Sequence, residues 1–234
     1  MDPMTTLAAT TGPLSPTDRS TIRRSSERAR SDRAALYDVL DTALVCHLAV
    51  VVDGVPIAFP TVYAVDVDGP DEGGTLYLHG SVASRSLRAA PEAEVSVTVT
   101  VLDGLVLARS GFHHSMNYRS AVVIGRPRVL TDDAERARAL DLLVDHVAPG
   151  RAAGLRPPTR KELVATTVLA LPLHEASVKV RDGGVSDEPE DVQAGGVWAG
   201  VVPVRMTGAD PVTAADVVDV PVPEHVTRRA AELH

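Results

Sequence analysis

The stretch ALVCHLAVVVDGVPIAFPTVYAV, residues 43–65, sets the architecture. Two Val-rich runs, Ala43–Val52 and Val55–Val65, flank Asp53-Gly54. Asp-Gly between apolar runs favours a tight turn with positive φ at both central residues, so the spacing predicts an antiparallel hairpin. Pro56 and Pro60 have no N–H to give a neighbouring strand. The second run is therefore expected at a sheet edge or to carry a bulge.

Upstream, Glu27–Thr42 is expected to be helical. Leu36, Val39, Leu40 and Ala43 recur at i, i+3, i+4 and i+7 and would form the buried stripe. Downstream, Asp66–Gly74 is a turn cluster, Thr75–Gly80 a short strand, and Ala83–Ala90 a helix stopped by Pro91. In Glu94–Leu102, Val95, Val97, Val99 and Val101 alternate with Ser and Thr, which gives a strand one apolar face. Asp103-Gly104 suggests a second hairpin turn into Leu105–Ala108, and Tyr118–Leu130 another long strand. Thr131 or Asp132 can cap a helix whose first turn holds Asp133 and Glu135, and whose apolar stripe is Ala134, Ala137, Leu140, Val144 and Val147. Pro149–Pro158 breaks it. Thr167–Val180 returns to strand composition, Asp182–Gly196 is an acidic loop, and Val197–Val204 is a last strand.

Six or seven strands with two Asp-Gly hairpins and little βαβ alternation predict a mainly β chain, an antiparallel barrel with helices packed outside. Residues 1–20, rich in Thr, Ser and Pro, read as a disordered tail, residues 21–206 as one domain, and residues 207–234 as a Pro- and Asp-rich extension. That extension would wrap the domain and end in a helix near Glu224–Leu233.

Composition narrows the function classes. With 234 residues the chain is long enough to bury a sizeable core, but seven aromatic side chains leave that core to Val, Ala and Leu. A net charge of −8 argues against binding nucleic acid or an anionic membrane, both of which call for a basic surface. One cysteine, Cys46, allows no internal disulfide and no CxxC site. The expectation from composition is a soluble, cytoplasmic protein.

The stretch richest in chemistry is Leu76-Tyr77-Leu78-His79-Gly80-Ser81-Val82-Ala83-Ser84-Arg85-Ser86-Leu87-Arg88. A strand enters a loop of small residues and then a helix start, where free backbone N–H groups, Ser hydroxyls and a guanidinium can meet an anion. That chemistry suits a terminal phosphate; a Ser cap beside an exposed arginine would give the same pattern. His113 and His114 are adjacent on an extended segment, so their rings point apart and chelate one ion poorly; no metal site is expected. No G-x-S-x-G, HExxH or Walker sequence occurs, and no catalytic residue can be named.

Strand, loop, Ser-Arg and helix, preceded by Pro56-Ile57-Ala58-Phe59-Pro60, resemble the pyridoxamine 5′-phosphate oxidase-like family of FMN-binding split barrels, and within it the flavin-nucleotide-binding branch that includes nitroimidazole-resistance proteins. Further matching stretches are Leu105–Ser110, His114–Ser120, Ser177–Arg181 and Trp198–Pro203, in the family's order. The resemblance implies a split β-barrel homodimer with FMN between the subunits. It implies that Ser84 and Arg85 bind the phosphate, with His79 and Gly80 on the preceding strand end. Phe59, Pro60 and Thr61 would lie along the flavin ring. Trp198 would approach from the partner subunit, and Tyr118 would sit near the dimer cleft.

Two departures bear on activity. Ser86 stands where pyridoxamine-phosphate oxidases carry Lys after the Ser-Arg, although it remains within the expected cofactor loop. Their C-terminal Arg-Leu-His-type substrate motif is also missing. The expected function is therefore an FMN-dependent oxidoreductase on a small organic molecule other than pyridoxamine phosphate. Related split barrels use the deazaflavin F420 or haem, and a haem would need an axial ligand such as His79 or His114. A non-catalytic flavin-storage protein is the remaining alternative.

Overall fold

Residues 13, 14 and 17–233 are described by the computed structural model of the chain. The tail expectation falls mostly outside them. Of its described residues, Leu14 and Ser20 are buried, and Arg19 pairs with Glu94 and Glu175.

In chain order the elements are β1 (Ala29–Arg30), α1 (Arg33–Thr42), β2 (Cys46–Val52), β3 (Val55–Thr61), β4 (Tyr63–Asp66), β5 (Thr75–Ser81), α2 (Arg85–Ala89), β6 (Val95–Leu107), β7 (Ser115–Gly125), β8 (Arg128–Val129), α3 (Asp133–Val147), α4 (Arg160–Ala165), β9 (Thr166–Pro172), β10 (Ala176–Arg181), α5 (Pro189–Ala194), β11 (Gly200–Pro203) and α6 (Glu224–Glu232). One sheet runs β1-β10-β7-β6-β2-β3, with β11 also on β6; the other runs β4-β5-β9-β8. All the pairings are antiparallel and neither sheet closes on itself, the arrangement of a split barrel with peripheral helices.

The first hairpin forms as its sequence requires. Asp53 and Gly54 have φ of 51° and 78°, and β2 pairs with β3 from Cys46–Thr61 to Val52–Val55. The proline-bearing strand β3 is a sheet edge, where missing N–H donors cost nothing. The expected single run to Val65 is broken at Val62, where the chain leaves one sheet and enters the other as β4.

Asp103-Gly104 is not a turn. Strand β6 runs straight through it, and Asp103 is the extra residue of a bulge between the Leu102–Tyr118 and Gly104–Asn117 pairs. A Cβ on Gly104 would stand 3.1 Å from Val201 Cγ1 and 3.2 Å from the Val202 carbonyl oxygen. The glycine thus serves the close approach of β11, and the real connection to β7 lies at residues 108–114. The expected strand over Tyr118–Leu130 is likewise two, β7 and β8, and Thr167–Val180 is split into β9 and β10. The first helix starts at Arg33, capped by Asp32, later than its periodicity suggests.

Alternation on β5 sorts its side chains between two interiors. Leu76 and Leu78 join the main core between the sheets with Leu36, Leu40, Leu48, Val97 and Leu169. Tyr77 faces the other way, into a smaller cluster with Leu130, Ala139 and Val168 beneath α3. Helix α3 is capped by Asp132, which accepts from Glu135 N at 2.8 Å.

Buried Tyr63 at the start of β4 joins these layers. Its hydroxyl donates toward Leu40 O (2.6 Å) and Ala43 O (2.9 Å) at the end of α1, and its ring lies 4.6 Å from that of His146 on α3. The C-terminal extension is fixed to the same place through Arg229, whose Nε donates to Val147 O at 2.9 Å, while Gly208 N to Leu233 O at 2.7 Å closes the extension on itself. No helix among the described residues is long and apolar enough to cross a membrane.

Replacing Tyr63 with Phe removes the hydroxyl and leaves Leu40 O without that partner in the core. Urea unfolding is expected to show a loss of about 1–2 kcal/mol; an unchanged midpoint would show that the carbonyls find other partners.

Candidate functional site

The face of β5 that carries Tyr77 also carries His79, two residues on. Its imidazole lines a cleft of about 880 Å³ between the sheet, α3, α4 and the loop joining them, a size that suits an organic cofactor. The wall is apolar: Val62 from the sheet switch, Ala137, Leu140, Val144, Val147 and Ala148 from α3, and Leu155, Pro157, Pro158 and Leu163 beyond it. Most of the apolar stripe read on α3 from sequence therefore forms the side of a cavity. The buried helix positions are Ala139, packed beside Tyr77, and Leu143, which also borders the cleft. Hydrophobic periodicity marks a dry face without saying whether protein or ligand covers it, which is why sequence reasoning missed the cleft.

His79 has no hydrogen bond from either ring nitrogen among the described residues, and its Nδ1 is fully buried. Burial holds its pKa below the ordinary histidine value, so the ring is neutral with a lone pair to offer near pH 7. Two guanidiniums, Arg151 and Arg156, and two carboxylates, Asp141 and Glu162, stand around the apolar wall. Arg156 binds Glu162 through two bonds of 2.9 and 2.6 Å. Glu162 also accepts from Thr159 N in the capping box of α4, and these donors hold its pKa down to about 2.

The other residues singled out by sequence fall in two groups. Ser84 caps α2, accepting from Leu87 N at 3.3 Å, and the loop before it closes through Ser84 N to Ser81 O at 2.9 Å. Ser86 is half-buried in the first turn. Arg85 is exposed and donates to Asp53, which laces this corner to the turn of the first hairpin. Gly80 has no room for a side chain, since a Cβ there would meet Leu87 Cδ1 at 2.5 Å. Phe59, Pro60 and Thr61 lie on the free edge of β3, opposite Leu48, His47 and Cys46. The Tyr63–Leu78 pair aligns the end of that segment with the end of β5.

Tyr118 and Trp198 belong to the other sheet. Tyr118 is half-buried on β7 opposite Leu102 and Arg181, while Trp198 precedes β11 and is 66% exposed. Among the described residues no hydrogen bond joins either to β5 or α2. His114 is exposed, its Nδ1 2.9 Å from Ser110 O, away from any cavity wall described here.

A family model described as pyridoxamine 5′-phosphate oxidase matches residues 32–180. Among solved structures, the flavocytochrome Anf3 from Azotobacter vinelandii is 36% identical, with a TM-score of 0.84 over 92% of this chain and 98% of that one. An FAD and haem binding protein from Mycobacterium smegmatis is 43% identical, with a TM-score of 0.80 over 88% of this chain and 98% of that one. A protein assigned to 5-nitroimidazole antibiotic resistance in Bacteroides thetaiotaomicron matches at 20% identity and a TM-score of 0.52, covering 65% of this chain and 86% of that one, and supports the fold alone. No match is found among curated proteins.

His79 and His146 are both held below the ordinary histidine pKa, burial being the main cause. The unfolded chain therefore binds protons more readily, and stability present above about pH 6.5 is lost as the pH falls below it. Urea midpoints between pH 7.5 and 5.5 should decrease, and His79→Gln or His146→Gln should each flatten the slope. A pH-independent midpoint in that window would contradict the burial of both rings.

Proposed function

The chain belongs to the pyridoxamine 5′-phosphate oxidase family of flavin-binding split barrels, and on that premise we propose that it is a flavin- and haem-binding oxidoreductase. The haem sits in the α3 cleft on His79, and the flavin lies with its phosphate at Ser84 and Arg85. The observation that carries the reading is a neutral, unpartnered imidazole facing an apolar cleft of about 880 Å³.

The residues fit both groups. Haem needs a dry, apolar slot and a nitrogen ligand, and His79 supplies the ligand without giving up a hydrogen bond. His114, the other histidine named from sequence, is exposed and is not on the wall of the α3 cleft. For the flavin, Arg85 is accessible to an anion that competes with Asp53, and the Ser81–Ser84 loop presents the small residues that a phosphate needs around it. The free edge of β3 leaves backbone groups of Phe59–Thr61 open to a ring. FAD rather than FMN is proposed because the 43% identical relative is an FAD and haem binding protein. Tyr118 and exposed Trp198 complete the flavin cleft from a second copy of the chain, which makes the working form a homodimer.

Bound flavin would supply two-electron and bound haem one-electron redox chemistry; the protein supplies orientation and a water-poor surround. The chain's own part is to hold a neutral imidazole at the haem, a guanidinium at the phosphate and an apolar wall between α3 and the sheet. The substrate is a small molecule reached through the flavin.

Purified protein reconstituted with hemin and FAD should show a Soret band and a flavin absorbance, and extraction with mass spectrometry should return FAD. His79→Ala should lose the Soret band while keeping the flavin. Arg85→Ala should weaken flavin binding by about tenfold or more with the fold retained. A His79→Ala protein with an unaltered haem spectrum would overturn the haem assignment, and extracted FMN would overturn the choice of flavin.

A further inference from the structure

Arg151 follows the last turn of α3 and lines the cleft beside Val147, Ala148 and Leu155. It is half-buried, and its guanidinium makes no hydrogen bond or ion pair among the described residues. Its backbone is fixed. Gly150, at φ 82°, turns the chain back; Arg151 N donates to Ala148 O at 3.0 Å; Ala152 N donates to Asp145 Oδ1 at 2.8 Å; and Gly154 N donates to Arg151 O at 3.1 Å. So constrained a turn fixes the point from which the guanidinium reaches the cleft.

A guanidinium stays charged at every working pH, and half-burial against an apolar wall weakens its hydration. It calls for an anion. The charged groups facing it do not provide one. Glu162 is occupied by Arg156 and Thr159, Asp145 by Ala152 N, and Asp141 is an exposed side chain without a bond to it. Arg156 needs no such partner, because its guanidinium is already neutralised by Glu162.

We propose that Arg151 binds a carboxylate of the molecule seated in the cleft, a propionate of haem, and so fixes which way round that molecule lies. This rests on the haem reading above, since a cleft holding His79 at one point and an unpaired cation at another fits a ligand that is apolar in its body and anionic at its edge. Arg151 is a positioning residue: it orients the ligand without touching the metal.

The test compares hemin with its dimethyl ester, in which both propionates are masked, by titration into the wild-type protein, Arg151→Leu and Arg151→Lys. Wild type should prefer hemin to the ester by about tenfold or more, as a charge-assisted pair implies. Arg151→Leu should bind the ester as well as wild type does but lose the preference, and Arg151→Lys should restore part of it. A preference of equal size in wild type and Arg151→Leu would overturn the assignment to Arg151 while leaving His79 as the ligand. Wild type that binds neither form would overturn the haem reading itself, and the carboxylate assignment with it. Circular dichroism of the variants confirms that affinity, not folding, is being read.

Discussion

The junction on which the rest depends is the buried hydroxyl of Tyr63 at the end of α1. A hydroxyl between Leu40 O and Ala43 O, with His146 Nε2 also 2.9 Å from Ala43 O, ties the first helix, the second sheet and α3 to one point. Tyr63 is fully buried and His146 half-buried, so the hydroxyl must find its partners within the protein. Burial accordingly raises the Tyr63 pKa and lowers that of His146, which keeps both rings neutral. With α3 held there, the space between it and the sheet lies beside this junction.

That space becomes a cleft because β5 divides its side chains between two faces. The even positions Leu76 and Leu78 fill the barrel; the odd positions Tyr77 and His79 face α3. Where Tyr77 lies, Leu130, Ala139 and Val168 close the gap. Two residues on, the helix wall stands off and His79 is left beside a cavity. An imidazole without partners would be a cost in a finished core. Its neutral form stands instead in a wall of leucine, valine and proline.

The extension after β11 makes the same cleft harder to open. Arg229 places its guanidinium on the last carbonyls of α3, at His146 O and Val147 O, where positive charge complements the negative end of the helix dipole. At Gly208 the strap passes so close beneath the final helix that the Ala230 carbonyl oxygen occupies the place of a Cβ. A second cavity, of about 800 Å³, lies where Val204–Met206 and α6 bridge over α1, β2 and β6. The C-terminal residues are thereby part of the support for α3, though they lie beyond the span matched by the family model.

Much of the barrel was legible from local rules. The Asp53-Gly54 turn, the alternation of Val95–Val101, the α1 stripe of Leu36, Val39 and Leu40, and the Asp132 cap all act over a few residues, and their physical causes travel with the chain. The Ser84-Arg85 motif and His79 were also visible, as residue types in a recognisable order. Other outcomes depended on neighbours far away in sequence. Asp103-Gly104 became a bulge because β11 approaches there, and the run through Val62 broke because two sheets compete for it. The α3 stripe became a cavity wall because Tyr63 and Arg229 hold the helix where it is. Sequence determined which residues are apolar, capped or turned; only the tertiary structure decided which apolar face meets protein and which lines a cavity, since that depends on distances between elements that no local pattern records.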